Sequence, residues 1–290
     1  MLKAAVDLGT NSVRLLVGTV EDNQVCVKYA DLRTCRLGQG LKTGGEINPW
    51  AVKRTLQALT EYHRIVQELE IEELKIVATS ALREAKNSGR LIQQVADLFS
   101  WHIQIISGEE EAYLSYLGAT SAIKLLPGLV PVVVDIGGGS TELVFTNQGG
   151  MVAASFPVGA VRCTETPCTD QEIRFWLEPG LKEVGQAGPV QLIGAGGTVT
   201  SLAAIACGLT VYDPEIVQGS SLDKETVRDL REKLAAMSLT ERKHLPGLHP
   251  GRADVIVAGA AILQVILDGS GCEKITVSDA DLLHGILLGL

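Results

Sequence analysis

A twelve-residue pattern that occurs twice constrains the fold of this chain more than any other feature. Residues 6–17 read VDLGTNSVRLLV and residues 134–145 read VDIGGGSTELVF. At an offset of 128, Val6/Val134, Asp7/Asp135, Gly9/Gly137, Ser12/Ser140 and Leu15/Leu143 are identical. Each copy is an apolar run ending in Asp, a glycine-bearing turn and a second apolar run. That grammar predicts a strand, a tight loop and a returning strand. A unit repeated near the midpoint predicts two related lobes, and 290 residues suffice for two domains of about 100–200 each.

The segments after each copy also correspond. In the first half, Val25–Tyr29, Lys75–Ala78 and Ile103–Ile106 are expected strands. Asn48-Pro49 should cap and open a helix with the apolar stripe Val52, Leu56, Leu59, Val66, Leu69. A second helix is expected over Gly89–Trp101, and Ser107-Gly-Glu-Glu110 has the form of a capping box opening a third. In the second half, strands are expected at Val132–Asp135, Leu143–Thr146, Val152–Phe156, Val190–Ile193 and Lys274–Val277. Helices should fill about 170–184, 197–207, 224–236 and 253–267, with one more at the end. Strands alternating with helices predict an α/β fold with mainly parallel central sheets. The lobes are expected over 1–125 and 126–290, hinged near 120–130 at LysLeuLeuProGlyLeuValPro, with the stretch at about 279–290 packing back on the first. Both glycine turns should point into the cleft between them.

Composition narrows the function. A net charge of −9 leaves no basic stripe to displace counterions, so nucleic acid is not an expected partner. The start MLKAAVDLGT lacks the apolar run of about 7–15 residues of a signal peptide. The longest apolar stretch, Val255–Leu263, is shorter than the roughly 20 residues that span a bilayer. Six cysteines without C-x-x-C spacing argue against zinc and against a disulfide framework. A cytoplasmic protein away from membranes is therefore expected.

The glycine turns suggest a ligand. Glycines let backbone N–H groups approach an anion, and an Asp at the strand end can hold a divalent cation. A plain hairpin needs one or two glycines, yet Gly137, Gly138 and Gly139 supply three, followed by Ser140 and Thr141. A third cluster, Gly194-Ala-Gly-Gly-Thr198, lies between a strand and a helix and brings Gly196 and Gly197 to an anion-friendly helix start. It is no dinucleotide fingerprint, and no Walker A sequence is present.

With these residues in view, DLGTNS and DIGGGSTE resemble the two phosphate loops of the actin–Hsp70–sugar kinase superfamily. ATSALREAKN (78–87), ISGEEEA (106–112), SFPVGAVR (155–162) and GAGGTVTSL (194–202) narrow the resemblance to the Ppx/GppA exopolyphosphatase and guanosine pentaphosphate phosphohydrolase family. The resemblance implies two actin-like, ribonuclease H-like lobes around an interdomain cleft. It implies Mg²⁺ as cofactor and hydrolysis of the terminal phosphate of inorganic polyphosphate, with pppGpp as the alternative substrate. A catalytically idle nucleotide sensor and an ATP-using kinase are the competing classes.

Site roles follow from the same resemblance. Spacing alone leaves Glu110 and Glu111 open as the base; the family pattern puts it at the Glu before Ala, which is Glu111. Asp135 is implied as the Mg²⁺ ligand, helped by Glu142 and Asp7, and Arg83 as a phosphate-contacting arginine. Thr10, Asn11, Ser12 and Arg14 of the first loop, with Gly137 to Thr141, should cradle phosphate oxygens. The chain departs from the family at Ser278–Gly285, where Leu283 and His284 replace an expected Arg and Glu. It also resembles a short form without the additional helical domain of longer relatives. A second copy of the chain is a candidate partner.

Overall fold

A computed structural model describes every residue except Thr43 and Gln148. The first half comprises β1 (Lys3–Leu8), β2 (Val13–Glu21), β3 (Gln24–Arg33), α1 (Pro49–Glu68), β4 (Glu73–Ala78), α2 (Ser80–Glu84), α3 (Ser88–Phe99), β5 (Ile103–Ile105) and α4 (Gly108–Ser121). The second comprises β6 (Val130–Ile136), β7 (Thr141–Asn147), β8 (Gly150–Phe156), α5 (Ala160–Glu165), α6 (Asp170–Gln186), β9 (Val190–Ala195) and α7 (Gly196–Ala206). It continues with α8 (Pro214–Val217), β10 (Ser221–Asp223), α9 (Lys224–Ala236), α10 (Leu239–Lys243), α11 (Ile256–Ser270), β11 (Lys274–Val277) and α12 (Leu282–Leu288).

Two sheets result, ordered β3-β2-β1-β4-β5 and β10-β11-β9-β6-β7-β8. The molecule is α/β, with one sheet built by each half of the chain. Its sheets are mixed, which corrects the expectation of mainly parallel ones. β1–β4–β5 and β6–β9–β11 run parallel, but β1–β2–β3, β6–β7–β8 and β10–β11 are antiparallel. Short connections enforce this in the β1–β2–β3 and β6–β7–β8 hairpins, because a tight turn can only join antiparallel neighbours.

The repeat is structural. Asp7 pairs across its hairpin with Arg14, and Asp135 with Glu142, at the same offset of 128. Both turns close with the same bond: Gly9 N–H to the Ser12 carbonyl at 3.0 Å, and Gly137 N–H to the Ser140 carbonyl at 2.9 Å.

Strand alternation sorts side chains between two faces of each sheet. Val6, Leu8, Val13 and Leu15 pack outward against Leu59 and Tyr62 of α1 and Leu91 and Val95 of α3. Val132, Val134, Leu143 and Phe145 pack outward against α6, α7, α9 and α11. The alternate residues face inward, where two helices lie between the sheets. α12 covers β1 and β2 with Leu282, Leu283, Ile286 and Leu287 against Ala5, Leu16 and Val77. α4 covers β6 to β9, with Ala119 and Ile123 against Val133, Ile193 and Ala195. Each helix thus packs on the sheet built by the other half of the chain. They cross at two glycines: a Cβ on Gly118 would sit 1.9 Å from the Asp281 carbonyl, and one on Gly285 1.9 Å from the Leu114 carbonyl.

Candidate active site

The same alternation delivers the polar residues. Asp7 shares its strand face with Ala5, and Asp135 with Val133, so both aspartates point inward at strand ends. There the two hairpin turns meet around a cavity of ≈ 110 Å³. Thr10, Asn11, Ser12 and Arg14 line it from the first lobe, and Gly137, Gly138, Gly139, Ser140, Gly196 and Gly197 from the second. A Cβ on Gly139 would lie 2.3 Å from Ser80 Oγ and 2.9 Å from Thr10 Oγ1, so only glycine lets the second loop approach the first lobe this closely. Thr141 is not brought into the cavity. Its buried hydroxyl donates to the Val158 carbonyl at 2.7 Å.

Three carboxylates, Asp7, Glu111 and Asp135, line the cavity. Glu111 stands in the first turn of α4, where the helix dipole favours an anion. The structure separates it from its neighbour. Glu110 is half-buried and accepts a bond from Gln104 Nε2 at 3.1 Å, whereas Glu111 is buried at 9 % exposure. The capping box expected here is half formed: Ser107 Oγ accepts from Glu110 N–H, but Glu110 turns to Gln104.

Arg83 does not line the cavity. Its Nη1 donates to Glu111 Oε2 at 3.1 Å and to the Ile106 carbonyl at 2.9 Å. Burial raises the Glu111 pKa, Arg83 opposes that, and the nearby charges of Asp7 and Asp135 add to the rise. Asp135 accepts from Ser115 Oγ of α4 at 2.8 Å. Burial pushes it up to about 6, with Asp281 adding to the effect. Asp7 is raised for the same first reason, against the pull of Arg14.

Arg14 is not a free cation. Its guanidinium donates to Asp7 Oδ2 at 2.8 and 3.1 Å and to Asp281, the residue that caps α12. Burial opposes the Arg14 charge, but Asp281 and Asp7 outweigh it and raise its pKa. Burial likewise opposes the Asp281 charge; Arg14 and His284 more than compensate and hold that carboxyl far below its ordinary value. His284, at the family's atypical position, accepts from Asp281 N–H and completes the cap, a structural task.

Two glycine-bearing hairpin turns facing each other, with a buried Glu between them, invite comparison with known proteins. The Ppx/GppA phosphatase family matches residues 21–290. The chain belongs to that family. A relative in Mycobacterium tuberculosis named exopolyphosphatase 2 is 35% identical over 316 aligned positions, covering 99% of this chain and 98% of that one. The Aquifex aeolicus Ppx/GppA family member has a TM-score of 0.79 at 32% identity, covering 100% of this chain and 97% of the other. An exopolyphosphatase from Cytophaga hutchinsonii has a TM-score of 0.90 at 26% identity, covering 100% and 99%.

A Ppx/GppA phosphatase site must stabilise a polyanion, and the donor set here suits a hard divalent cation. Asp7 Oδ1 is buried without a hydrogen-bond partner. A Cβ on Gly196 would sit 2.2 Å from Asp135 Oδ1, so that glycine keeps the carboxylate's other oxygen uncovered. Mg²⁺ commonly takes one or two carboxylates and completes its shell with water and substrate phosphates. Among the described residues no three His, Cys, Asp or Glu side chains cluster to hold a metal. Glu142, expected beside Asp7 and Asp135 from sequence, is not among the residues that line the cavity. Glu142 lies behind the cavity wall, accepts from Ser155 Oγ at 2.7 Å, and has its pKa raised by burial and by Glu111.

The structure adds Arg252, which sequence reasoning missed. It lines the cavity from the turn before α11 and donates to the Gly197 carbonyl and Ser201 Oγ at 2.8 and 2.9 Å. Among the described residues no carboxylate lies within ion-pair distance of it. A signal existed: an Arg just before a helix opposes the helix dipole and needs another reason to be there.

Proposed function

We propose that this protein is an exopolyphosphatase that uses Mg²⁺ and water to release the terminal phosphate of inorganic polyphosphate. The observation that carries this reading is Glu111, a buried carboxylate held by Arg83 between two phosphate-loop hairpins. Exopolyphosphatase relatives that match the chain along its whole length support it. In this reading Glu111 accepts a proton from the attacking water. A new P–O bond forms to that water, and the phosphoanhydride bond to the shortened chain breaks. Arg83 opposes the rise that burial causes in the Glu111 pKa and so favours the ionised form. Asp7 and Asp135 would hold Mg²⁺, which supplies charge neutralisation of the phosphates. Thr10, Asn11, Ser12 and the Gly137–Ser140 amides cradle the phosphate oxygens, and Arg252 adds a cation. The lobes, divided at residues 125 and 126 with the stretch at about 279–290 returning to the first, close over the substrate.

A second reading is hydrolysis of pppGpp, favoured by one observation. A cavity of ≈ 540 Å³ adjoins the site, shares Arg14, Gly196, Gly197 and Arg252 with it, and carries apolar walls from Leu245 and Leu248. That is room for a nucleoside beside the phosphates. Phosphate release from both substrates, each with Mg²⁺ and with a chelator, decides. Polyphosphate should be the better substrate, and chelation should abolish release. A preference for pppGpp would install the second reading, and no release from either would refute both. A cytoplasmic site of action is part of the proposal. No helix among the described residues is long and apolar enough to cross a membrane.

A further inference from the structure

The SFPVGAVR segment has no task in the chemistry above. It runs into α5, where Arg162 and Glu165 are three residues apart and so share one side of the helix. Both reach the first lobe. Arg162 Nη2 donates to the two carboxylate oxygens of Glu84 at 2.6 and 2.8 Å, and Glu84 also accepts from Ser80 Oγ at 3.0 Å. The Glu165 carboxylate accepts from Gly40 N–H at 2.8 and 3.0 Å. The Gly40 loop is itself tied to the first hairpin turn: Gly38 N–H donates to the Thr10 carbonyl and Arg36 N–H to the Asn11 carbonyl, each at 2.8 Å.

The same helix grips the second turn from behind. Ala160 N–H donates to the Gly137 carbonyl at 2.9 Å, and Val161 N–H to the Gly138 carbonyl at 2.8 Å. Arg162 Nε donates to the Gly139 carbonyl at 2.9 Å. Three successive carbonyls are thereby turned toward α5. In a trans peptide the C=O and the following N–H point in opposite directions. The amides of Gly138, Gly139 and Ser140 are therefore directed away from α5, toward the cavity that these residues line.

We infer that α5 is a latch in which the Arg162–Glu84 pair couples closure of the lobes to the orientation of the Gly137–Gly139 loop. Arg162 is a positioning residue. It holds one lobe with its Nη2 and the anion-binding loop with its Nε, so the loop is set for phosphate when the cleft is shut. This rests on the reading of that loop as a phosphate cradle.

The test compares Glu84→Gln, Arg162→Gln and the double variant. Hydrogen exchange of the free protein is the first readout. Breaking a partly exposed charge-assisted pair should speed exchange about fivefold in segments 36–41 and 137–140. Core strand residues Val132–Val134 should be unaffected. In polyphosphate hydrolysis KM should rise by the same factor of about five, because fewer molecules are closed, while kcat stays within about twofold. The double variant should match Arg162→Gln, since that substitution already removes the pair with Glu84 along with the bond to the Gly139 carbonyl. Unaltered exchange at the two segments, faster exchange in the core strand, multiplying effects in the double variant, or a fall in kcat at constant KM would each overturn the latch. If the wild-type protein releases no phosphate from polyphosphate, the functional reading fails, and the exchange measurements still decide the latch.

Discussion

Replacing Glu111 with Gln tests the chemistry at its centre, and the structure specifies how. The substitution keeps the size of the side chain and an oxygen for Arg83 Nη1, which stays anchored on the Ile106 carbonyl. It removes only the ability to take a proton. General-base catalysis contributes about 10²–10⁴-fold, or roughly 3–5 kcal/mol of barrier. Phosphate release from polyphosphate should fall by that factor, and KM should stay near its wild-type value. The fold should not suffer, because a carboxylate that burial makes costly to ionise is replaced by a neutral amide. Thermal unfolding should therefore occur at the same temperature or higher. Glu110→Gln is the control. That side chain is half-buried, lies outside the cavity and is bonded to Gln104, so its activity should remain within about twofold of wild type. The reasoning is refuted if Glu111→Gln keeps more than about a tenth of the activity, or if Glu110→Gln is the variant that loses it.

Four other outcomes are expected. Arg83→Ala leaves Glu111 buried without its cation, which raises its pKa further; the rate at pH 7 should fall about 10–100-fold and partly recover at alkaline pH. A pH–rate profile parallel to wild type would remove Arg83 from this role. Gly196→Ala places a methyl group against Asp135 Oδ1 at a backbone φ of +79°. It should cost about 1–2 kcal/mol of stability and move the Mg²⁺ titration to higher concentration; an unmoved titration would place the metal elsewhere. Asp135 rises from 3.8 to about 6 on folding, so the folded state keeps a proton that the unfolded chain releases between those values. In chelator the protein should lose up to about 3 kcal/mol as pH rises through that window, and melting curves with added Mg²⁺ should show a smaller loss. Finally, a net charge of −9 and locally confined grips predict distributive hydrolysis. Gels should show a long polymer population shortening together; full-length chains persisting beside free phosphate would require a binding track such as a dimer could form.

What the sequence discloses about this molecule is mostly local. The paired hairpins, their turns and their strand-end aspartates are legible because alternation and turn chemistry act over a few residues. The Asn48 cap of α1 forms as its sequence suggests, accepting from Trp50 N–H. The helices α2 and α5, of five and six residues, are too short to show a period, so the placement of Arg83, Glu84 and Arg162 stays hidden. Arg14 looks like a phosphate ligand in its own loop; its engagement by Asp281 comes from 267 residues away and has no local sign. Glu142 occupies the same hairpin position as Arg14, so one copy of the repeat holds an ion pair and the other a like-charged pair. Spacing shows that equivalence, but only packing against Ser155 shows where Glu142 points.

The exchange of α4 and α12 between the sheets sets a timetable for the newborn chain. The inner face of the first sheet, with Ala5, Leu16 and Val77, is covered by α12, which the ribosome delivers only after the whole second lobe. Between the synthesis of α4 and that of α12 lie about 160 residues, or roughly 10–30 s of translation at ordinary speeds. During that interval the helix carrying Glu111 and Ser115 gains the strands of the second sheet but has no α12 to cross. The hydrolytic centre is thus withheld until α12 has been made. A chain that lacks α12 leaves the apolar inner face of the first sheet uncovered, the kind of surface that aggregates unless it is shielded.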